Sequence, residues 1–126
     1  IVHFSESFAA NLGAFTQISN TGAQTWRWQS GFGATMSGFS GGNIANEDWL
    51  ISPTIDLTSL TSAALTFDHV INKGVVGNMK TEQTLWISED NGATWLSVAI
   101  PVYPAGNNWT FVNCGEIDLA NSFVRK

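Results

Sequence analysis

The stretch from Ser88 to Trp95 constrains the fold of this chain more than any other part of its sequence. It reads S-E-D-N-G-A-T-W and matches the pattern S-x-D-x-G-x-T-W, which is known as an Asp-box. Apolar, β-forming runs stand on both sides of it, at residues 85–87 and 95–98. Two such runs joined by a short loop that contains Asn-Gly predict a β-hairpin.

The residue types of this loop have mechanical roles in a turn. Gly92 can take the positive φ that the turn needs. The side chains of Ser88 and Asp90 are expected to hydrogen-bond to turn backbone groups. Trp95 is expected to fold back as an apolar plug beneath the loop. We therefore interpret Ser88, Asp90, Gly92, Thr94 and Trp95 as structural residues of a self-stabilised turn, not as a catalytic device.

Composition favours one extracellular β-domain that spans 1–126. Only 12% of the residues are charged, which is about half the usual share, and Gly, Ser, Thr and Asn fill the difference. Five basic residues and a net charge of −5 cannot form a basic patch, so a nucleic-acid role is excluded. No apolar run approaches the ~20 residues of a membrane span, so membrane insertion is not expected. The single cysteine, Cys114, excludes an internal disulfide and is interpreted as a buried apolar residue.

Short β-type runs separated by turn signals cover most of the chain. They include a short leading strand at residues 1–4 and a buried strand at residues 49–51, and Phe8 is interpreted as a core anchor. Residues 25–29 alternate with period two and place Trp26 and Trp28 on one face. In the run 65–71 the same alternation places His69 on the more apolar face, where we interpret it as a core histidine. Residues 9–15 are interpreted as a helical turn or loop, and 31–46 as a long loop with room for one short strand. About seven short strands and no sustained helical period predict a β-sandwich.

Several sequence blocks occur in the order found in one family. They are F-S-E-S-F at 4–8, D-W-L-I-S-P at 48–53 with I-D-L at 55–57, L-T-F-D at 65–68, the Asp-box, and W-T-F at 109–111 followed by G-E-I-D-L at 115–119. Together they resemble the choice-of-anchor J domains of secreted Bacteroidetes proteins. Those domains are relatives of the cleaved-adhesin domains that follow the catalytic part of gingipain proteases. The resemblance covers nearly the whole chain.

The resemblance implies an all-β fold, a two-sheet antiparallel jelly-roll β-sandwich of the galactose-binding-like or MAM-like kind. It also implies a non-catalytic domain of a secreted or cell-surface protein. Relatives continue into further strands beyond the I-D-L block, whereas this chain stops after residues 123–126. We therefore expect the sandwich to lack its last strand or strands and to expose an unpaired edge, through which copies of the chain pair as a homo-oligomer.

The resemblance also implies a structural calcium ion. Calcium takes roughly six to eight oxygen ligands from carboxylates, amides and backbone carbonyls. Similar domains use a glutamate at the position of Glu6, which makes it the first candidate ligand. Asn46, Glu47 and Asp48 lie beside a loop and are further candidates, and Asp68 is a weaker one. The alternative is that these are solvated surface groups. Zinc and iron are not expected, because two histidines and one cysteine offer no ligand spacing.

A carbohydrate site needs an exposed aromatic platform together with polar groups for the sugar hydroxyls. Trp26 and Trp28 share a face, Trp86 points away from its apolar neighbours, and Tyr103 and Trp109 stand beside turns. These five are the candidate sugar-binding residues. The alternative for each ring is burial in the core.

Catalysis has no support in the sequence. The G-x-S-x-G match at 38–42 lacks the helix that a nucleophile elbow requires and is interpreted as a glycine-rich turn. The neighbouring acids Glu47-Asp48 and Glu89-Asp90 would point to opposite faces of a strand. A sialidase fragment would need repeated Asp-boxes and an arginine cluster, yet the chain has one Asp-box and two arginines.

The sequence therefore predicts a non-catalytic carbohydrate-binding or adhesion module. Its expected partner is a glycan or a host or cell-surface protein. The first alternative is a structural spacer or protein-interaction domain beside an enzyme, which predicts no glycan binding and no exposed aromatic cluster. The remote alternative is a fragment of a sialidase-type glycosidase.

Overall fold

The computed structural model of this chain describes residues 2–37, 45–72, 82–106 and 109–119. The regular elements defined there are ten β-strands, which pair antiparallel into five two-stranded sheets. The strands are β1 (Thr16–Thr21), β2 (Arg27–Gln29), β3 (Gly33–Thr35), β4 (Glu47–Ile51), β5 (Ala64–Leu65), β6 (Asp68–His69), β7 (Leu85–Ile87), β8 (Leu96–Val98), β9 (Val112–Asn113) and β10 (Ile117–Asp118).

The all-β prediction is therefore confirmed, and the joining of these pairs into a two-sheet jelly roll stays a prediction. The G-x-S-x-G segment at 38–42 and the final segment at 123–126 lie outside the described residues. In the described part of the chain, no helix is long and apolar enough to cross a membrane.

The chain divides into two compact units, Ile1–Asp56 and Leu57–Lys126. In the first unit, β1 pairs with β4 and β2 pairs with β3. A small aromatic cluster forms near the start of this unit: the rings of Phe8 and Phe15 lie 5.0 Å apart in an edge-on arrangement, and the ring of Phe4 lies 6.2 Å from Phe15. Phe8, predicted as a core anchor, is half-buried, and its ring contact is with Phe15 in this cluster.

The second unit contains the buried core of the described residues. Ile100, Cys114 and Ile117 are 9%, 0% and 4% exposed. Partly buried apolar side chains pack around them, namely Leu65, Phe67, Leu85, Val98, Tyr103 and Leu119. Cys114 is thus a buried small residue, as predicted. His69 is also buried, at 6% exposure, and its ring lies 5.1 Å from that of Phe67.

Two segments of the second unit, 64–69 and 112–118, run side by side. β5 pairs with β10 and β6 pairs with β9, and the register shifts by one residue between the two pairs. Gly115, with φ at 86°, takes the left-handed conformation that such a bulge requires. The Phe67 amide donates to the Cys114 sulfur at 3.3 Å. The strand predicted over 65–71 is therefore broken into β5 and β6.

Two other local predictions were wrong, and one strand was not predicted. The leading strand expected at the N-terminus is absent from residues 2–4, which have no strand pairing. β1 was not predicted, because its sequence T-Q-I-S-N-T carries one large apolar residue, and the whole strand is exposed. The strand of Trp49–Ile51 was expected to be buried, but β4 is only half-buried because its partner β1 brings little apolar surface to it.

Candidate functional site

The loop between β7 and β8 is the predicted hairpin turn. Asn91 and Gly92 both have positive φ, at 60° and 91°, and the Ala93 amide donates to the Asp90 carbonyl at 3.3 Å. Positive φ at both central residues is the type I′ geometry that suits a hairpin. The Gly92 amide donates to the Ser88 hydroxyl oxygen at 2.7 Å, and the Thr94 amide donates to the Asp90 carboxylate at 2.8 Å.

Asp90 is the electrostatic centre of this loop. The hydroxyl and backbone amide of Thr94 and the hydroxyl of Ser88 all donate to its carboxylate. These donors, the Thr94 hydroxyl first, lower the pKa of Asp90 from 3.8 to about 2. The Trp95 ring lies beneath the turn, 3.7 Å from the point where a Cβ on Gly92 would stand. Every polar group named here is occupied within the loop, so the loop itself offers no site.

Trp86 lies on the outward side of the same hairpin. Its neighbours Leu85 and Ile87 face the other way, and its cross-strand partner is Ser97. The ring is 42% exposed, and its indole N–H donates to the Thr84 hydroxyl at 3.0 Å. The outward position predicted for Trp86 is confirmed.

A second exposed aromatic group immediately precedes β9 in the chain. Asp68 and Asn113 stand opposite each other in the register, and the Asn113 side-chain amide donates to the Asp68 carboxylate at 3.0 Å. Phe111 and Trp109 stand two and four residues before Asn113, just ahead of β9. In an extended chain this period-two spacing places side chains on one face, and we group the residues on that basis. Both are exposed, at 43% and 63%. We call Asp68, Trp109, Phe111 and Asn113 the outer face.

The other three aromatic candidates are half-buried, and their polar atoms bond to backbone carbonyls. The indole N–H of Trp28 donates to the Phe8 carbonyl at 2.7 Å, and that of Trp26 donates to the Asp48 carbonyl at 3.3 Å. The Tyr103 hydroxyl donates to the Gln83 carbonyl at 2.6 Å, and burial raises its pKa. These contacts favour packing roles for Trp26, Trp28 and Tyr103.

The calcium candidates fall in different surroundings. The Glu6 carboxylate accepts the Phe8 amide at 2.9 Å, and the Asn46 side-chain oxygen accepts the Gln24 amide at 3.1 Å. Asp68 belongs to the second unit and is held by Asn113. Among the described residues, no three His, Cys, Asp or Glu side chains form a metal-binding group. Calcium also accepts amide and backbone oxygens, so this does not decide the prediction.

Asp48 is the candidate that fits a cation best. Both oxygens of its carboxylate are buried, and neither has a hydrogen-bond partner. Its neighbour Glu47 is exposed and accepts the side-chain N–H groups of Asn20 at 2.9 Å and Trp49 at 3.4 Å, which lower its pKa. A buried carboxylate without a donor is costly unless a positive charge compensates it. The donor type and burial of Asp48 therefore fit a calcium ligand.

Sequence reasoning missed two members of the outer face, Phe111 and Asn113. The signal for Phe111 was present, since it follows Trp109 by two residues just after a turn. No local pattern could reveal that Asn113 meets Asp68, because the two residues are 45 positions apart.

Comparison of the chain with protein-family models, with curated proteins and with solved structures finds no match.

Proposed function

We propose that this chain is a non-catalytic carbohydrate-binding or adhesion module of a secreted or cell-surface bacterial protein. The observation that carries the proposal is the outer face. There a 63%-exposed tryptophan and a 43%-exposed phenylalanine accompany a carboxylate–amide pair. Single exposed apolar side chains are common on protein surfaces and do not indicate a site. Two large exposed rings within four residues of an oriented carboxylate–amide pair are, in contrast, typical of a ligand site.

The chemistry of a sugar matches this composition. A pyranose ring has apolar C–H faces, which pack on an aromatic ring, and an equatorial rim of hydroxyl groups, which need donors and acceptors. Trp109 and Phe111 supply the platform, and Asp68 and Asn113 supply the polar atoms. The exposed ring of Trp86 supports a further contact point on the same unit, because the Thr84 hydroxyl accepts its indole N–H and Ser97 is its cross-strand partner.

The test is a glycan and polysaccharide binding screen with the wild-type chain and three variants. Trp109→Ala removes the largest exposed ring, and Trp86→Ala removes the other exposed indole. Leu60→Ala is the control, because Leu60 is an exposed apolar residue of the same unit, at 40%, without an aromatic ring. We expect a saturable signal for at least one sugar that is lost in Trp109→Ala and retained in Leu60→Ala. Absence of any sugar signal from folded wild-type protein contradicts the proposal.

Calcium belongs to the same proposal as a structural ion. The Asp48 carboxylate is the group that would hold it, and the ion would supply the positive charge that this buried group lacks. The screen is therefore run once in calcium and once in EDTA. Binding that disappears in EDTA indicates that the ion maintains the sugar site, whereas equal binding in both restricts calcium to a role in stability.

Pairing between copies is a second candidate, which one observation favours. β1 is exposed along all six residues, and Ile18 within it is 50% exposed. An exposed strand of this length is a template for pairing with another chain. Analytical ultracentrifugation of the wild type and of Ile18→Lys tests it. We expect a dimer that dissociates in the variant, and a monomeric wild type at all concentrations contradicts the idea.

A further inference from the structure

We infer that the outer face binds one neutral sugar ring through two adjacent hydroxyl groups, which the Asp68–Asn113 pair recognises. The inference rests on the proposed function and names the class of sugar and the residues that select it.

The Asp68–Asn113 pair has a fixed orientation. The Gly115 backbone amide donates to the Asn113 side-chain oxygen at 2.9 Å, which identifies the other atom of that amide as the nitrogen. This nitrogen donates one of its two N–H groups to Asp68 Oδ1 at 3.0 Å. The pair therefore retains one N–H donor on Asn113 and one carboxylate oxygen, Oδ2, on Asp68. Both residues are exposed, so a ligand can reach these two atoms.

One donor beside one acceptor suits adjacent hydroxyl groups. A hydroxyl both donates and accepts, so one sugar hydroxyl can donate to Asp68 Oδ2 while its neighbour accepts from Asn113. The first of these bonds involves an ionised acceptor and is therefore the stronger. The C–H face of the same ring can then pack on the exposed aromatic side chains two and four residues before Asn113. A lone hydroxyl, as in a simple alcohol, would use only half of this arrangement.

The negative charge of the Asp68 carboxylate favours neutral sugars over acidic sugars as ligands. The described residues of the second unit carry six carboxylates, namely Asp68, Glu82, Glu89, Asp90, Glu116 and Asp118. The whole chain has a net charge of −5. A uronic acid, a sialic acid or a sulfated sugar would bring a second negative charge next to the Asp68 carboxylate. Repulsion between the two negative charges should weaken the affinity for such ligands.

The experiment titrates the full chain with methyl glycosides of galactose, glucose and mannose, and with glucuronic acid and sialyllactose as acidic probes. Isothermal calorimetry and saturation-transfer NMR measure the binding. Asp68→Asn is the central variant, because the new side chain keeps an oxygen for the Asn113 N–H and replaces the charged acceptor Oδ2 with a neutral NH2 donor. Asp118→Asn is the matched control, since it makes the same charge change on an exposed residue of the same unit.

We expect at least one neutral glycoside to bind and both acidic probes to bind more weakly. Asp68→Asn should raise the Kd of that glycoside about tenfold, the effect of losing one charge-assisted hydrogen bond, and Asp118→Asn should leave it unchanged. If Asp68→Asn binds like the wild type while Trp109→Ala does not bind, the sugar function stands and the selective role of the pair is overturned. That selective role is also overturned if acidic probes bind as tightly as neutral ones. If no sugar binds to folded protein, the proposed function fails as well.

Discussion

Ile117 is the side chain whose truncation should most clearly reveal the core of the second unit. It is 4% exposed and belongs to the cluster with Ile100 and Cys114. Ile117→Ala removes three buried carbons, and each is worth about 0.8 kcal/mol of transfer free energy. The transfer loss is therefore about 2.4 kcal/mol, and the cavity that remains raises the expected destabilisation to about 3–4 kcal/mol, within the range measured for such truncations.

Leu96→Ala is the matched control. It also removes three carbons from a strand residue of the same unit, but Leu96 is 42% exposed. Scaling by the buried fraction gives a loss of about 1.4 kcal/mol, and solvent fills the space that the side chain leaves. The two variants should therefore differ by about 2 kcal/mol although they delete the same number of atoms.

Cys114 provides the assay, because it is the chain's one cysteine, fully buried and in the same cluster as Ile117. A thiol reagent reaches it only when this unit opens, so the labelling rate follows the free energy of opening. Since about 1.4 kcal/mol corresponds to a factor of ten, labelling should accelerate at least about a hundredfold in Ile117→Ala and about tenfold in Leu96→Ala. Equal acceleration in the two variants, or free reaction of Cys114 in the wild type, would refute the described core.

The remaining predictions concern the hairpin loop and the buried carboxylate. The pKa of Asp90 is lowered from 3.8 to about 2, so its stabilising effect is complete above pH 3.8 and is lost as the pH falls toward 2. The difference in urea midpoint between wild type and Asp90→Asn should thus be constant from neutral pH down to about 4 and shrink below it; a difference that does not vary with pH contradicts this. Asp48→Asn should be at least as stable as the wild type in EDTA, because it removes an uncompensated buried charge. In calcium at a hundredfold excess over Kd, thermal unfolding should show that the wild type gains about 2.7 kcal/mol and the variant gains nothing; equal gains would exclude Asp48 as the ligand.

Local sequence patterns predicted the features that depend on local chemistry. The Asn-Gly pair predicted the hairpin because both residues tolerate the positive φ that the turn requires. Period-two alternation predicted which side of 65–69 faces the core, and the burial of His69 and the exposure of Asp68 follow it. The outward position of Trp86 came from the same argument. These predictions succeeded because neighbouring residues alone determine them.

Features that depend on distant partners could not be predicted in this way. β1 has a polar sequence and forms a strand through its pairing with β4, which no local pattern reports. The break between β5 and β6 arises from a bulge at Gly115 in the opposite segment. The Asp68–Asn113 pair depends on the same long-range register. The sequence therefore identified Trp109 as a platform candidate and Asp68 only as a weak metal candidate, and it could not reveal that Asp68 has a partner on the outer face.

The most direct test of the carbohydrate-binding claim is the indole N–H spectrum of the ¹⁵N-labelled chain during a sugar titration. The six tryptophans give six indole signals, which single Trp→Phe variants assign. Trp109 is 63% exposed, more than Trp86 of the same unit, whereas the Trp28 N–H is held by the Phe8 carbonyl. We predict a saturable shift of the Trp109 signal with a neutral glycoside and a stationary Trp28 signal. A Trp109 signal that does not move while another tryptophan shifts would place the sugar elsewhere and contradict the outer face as its site.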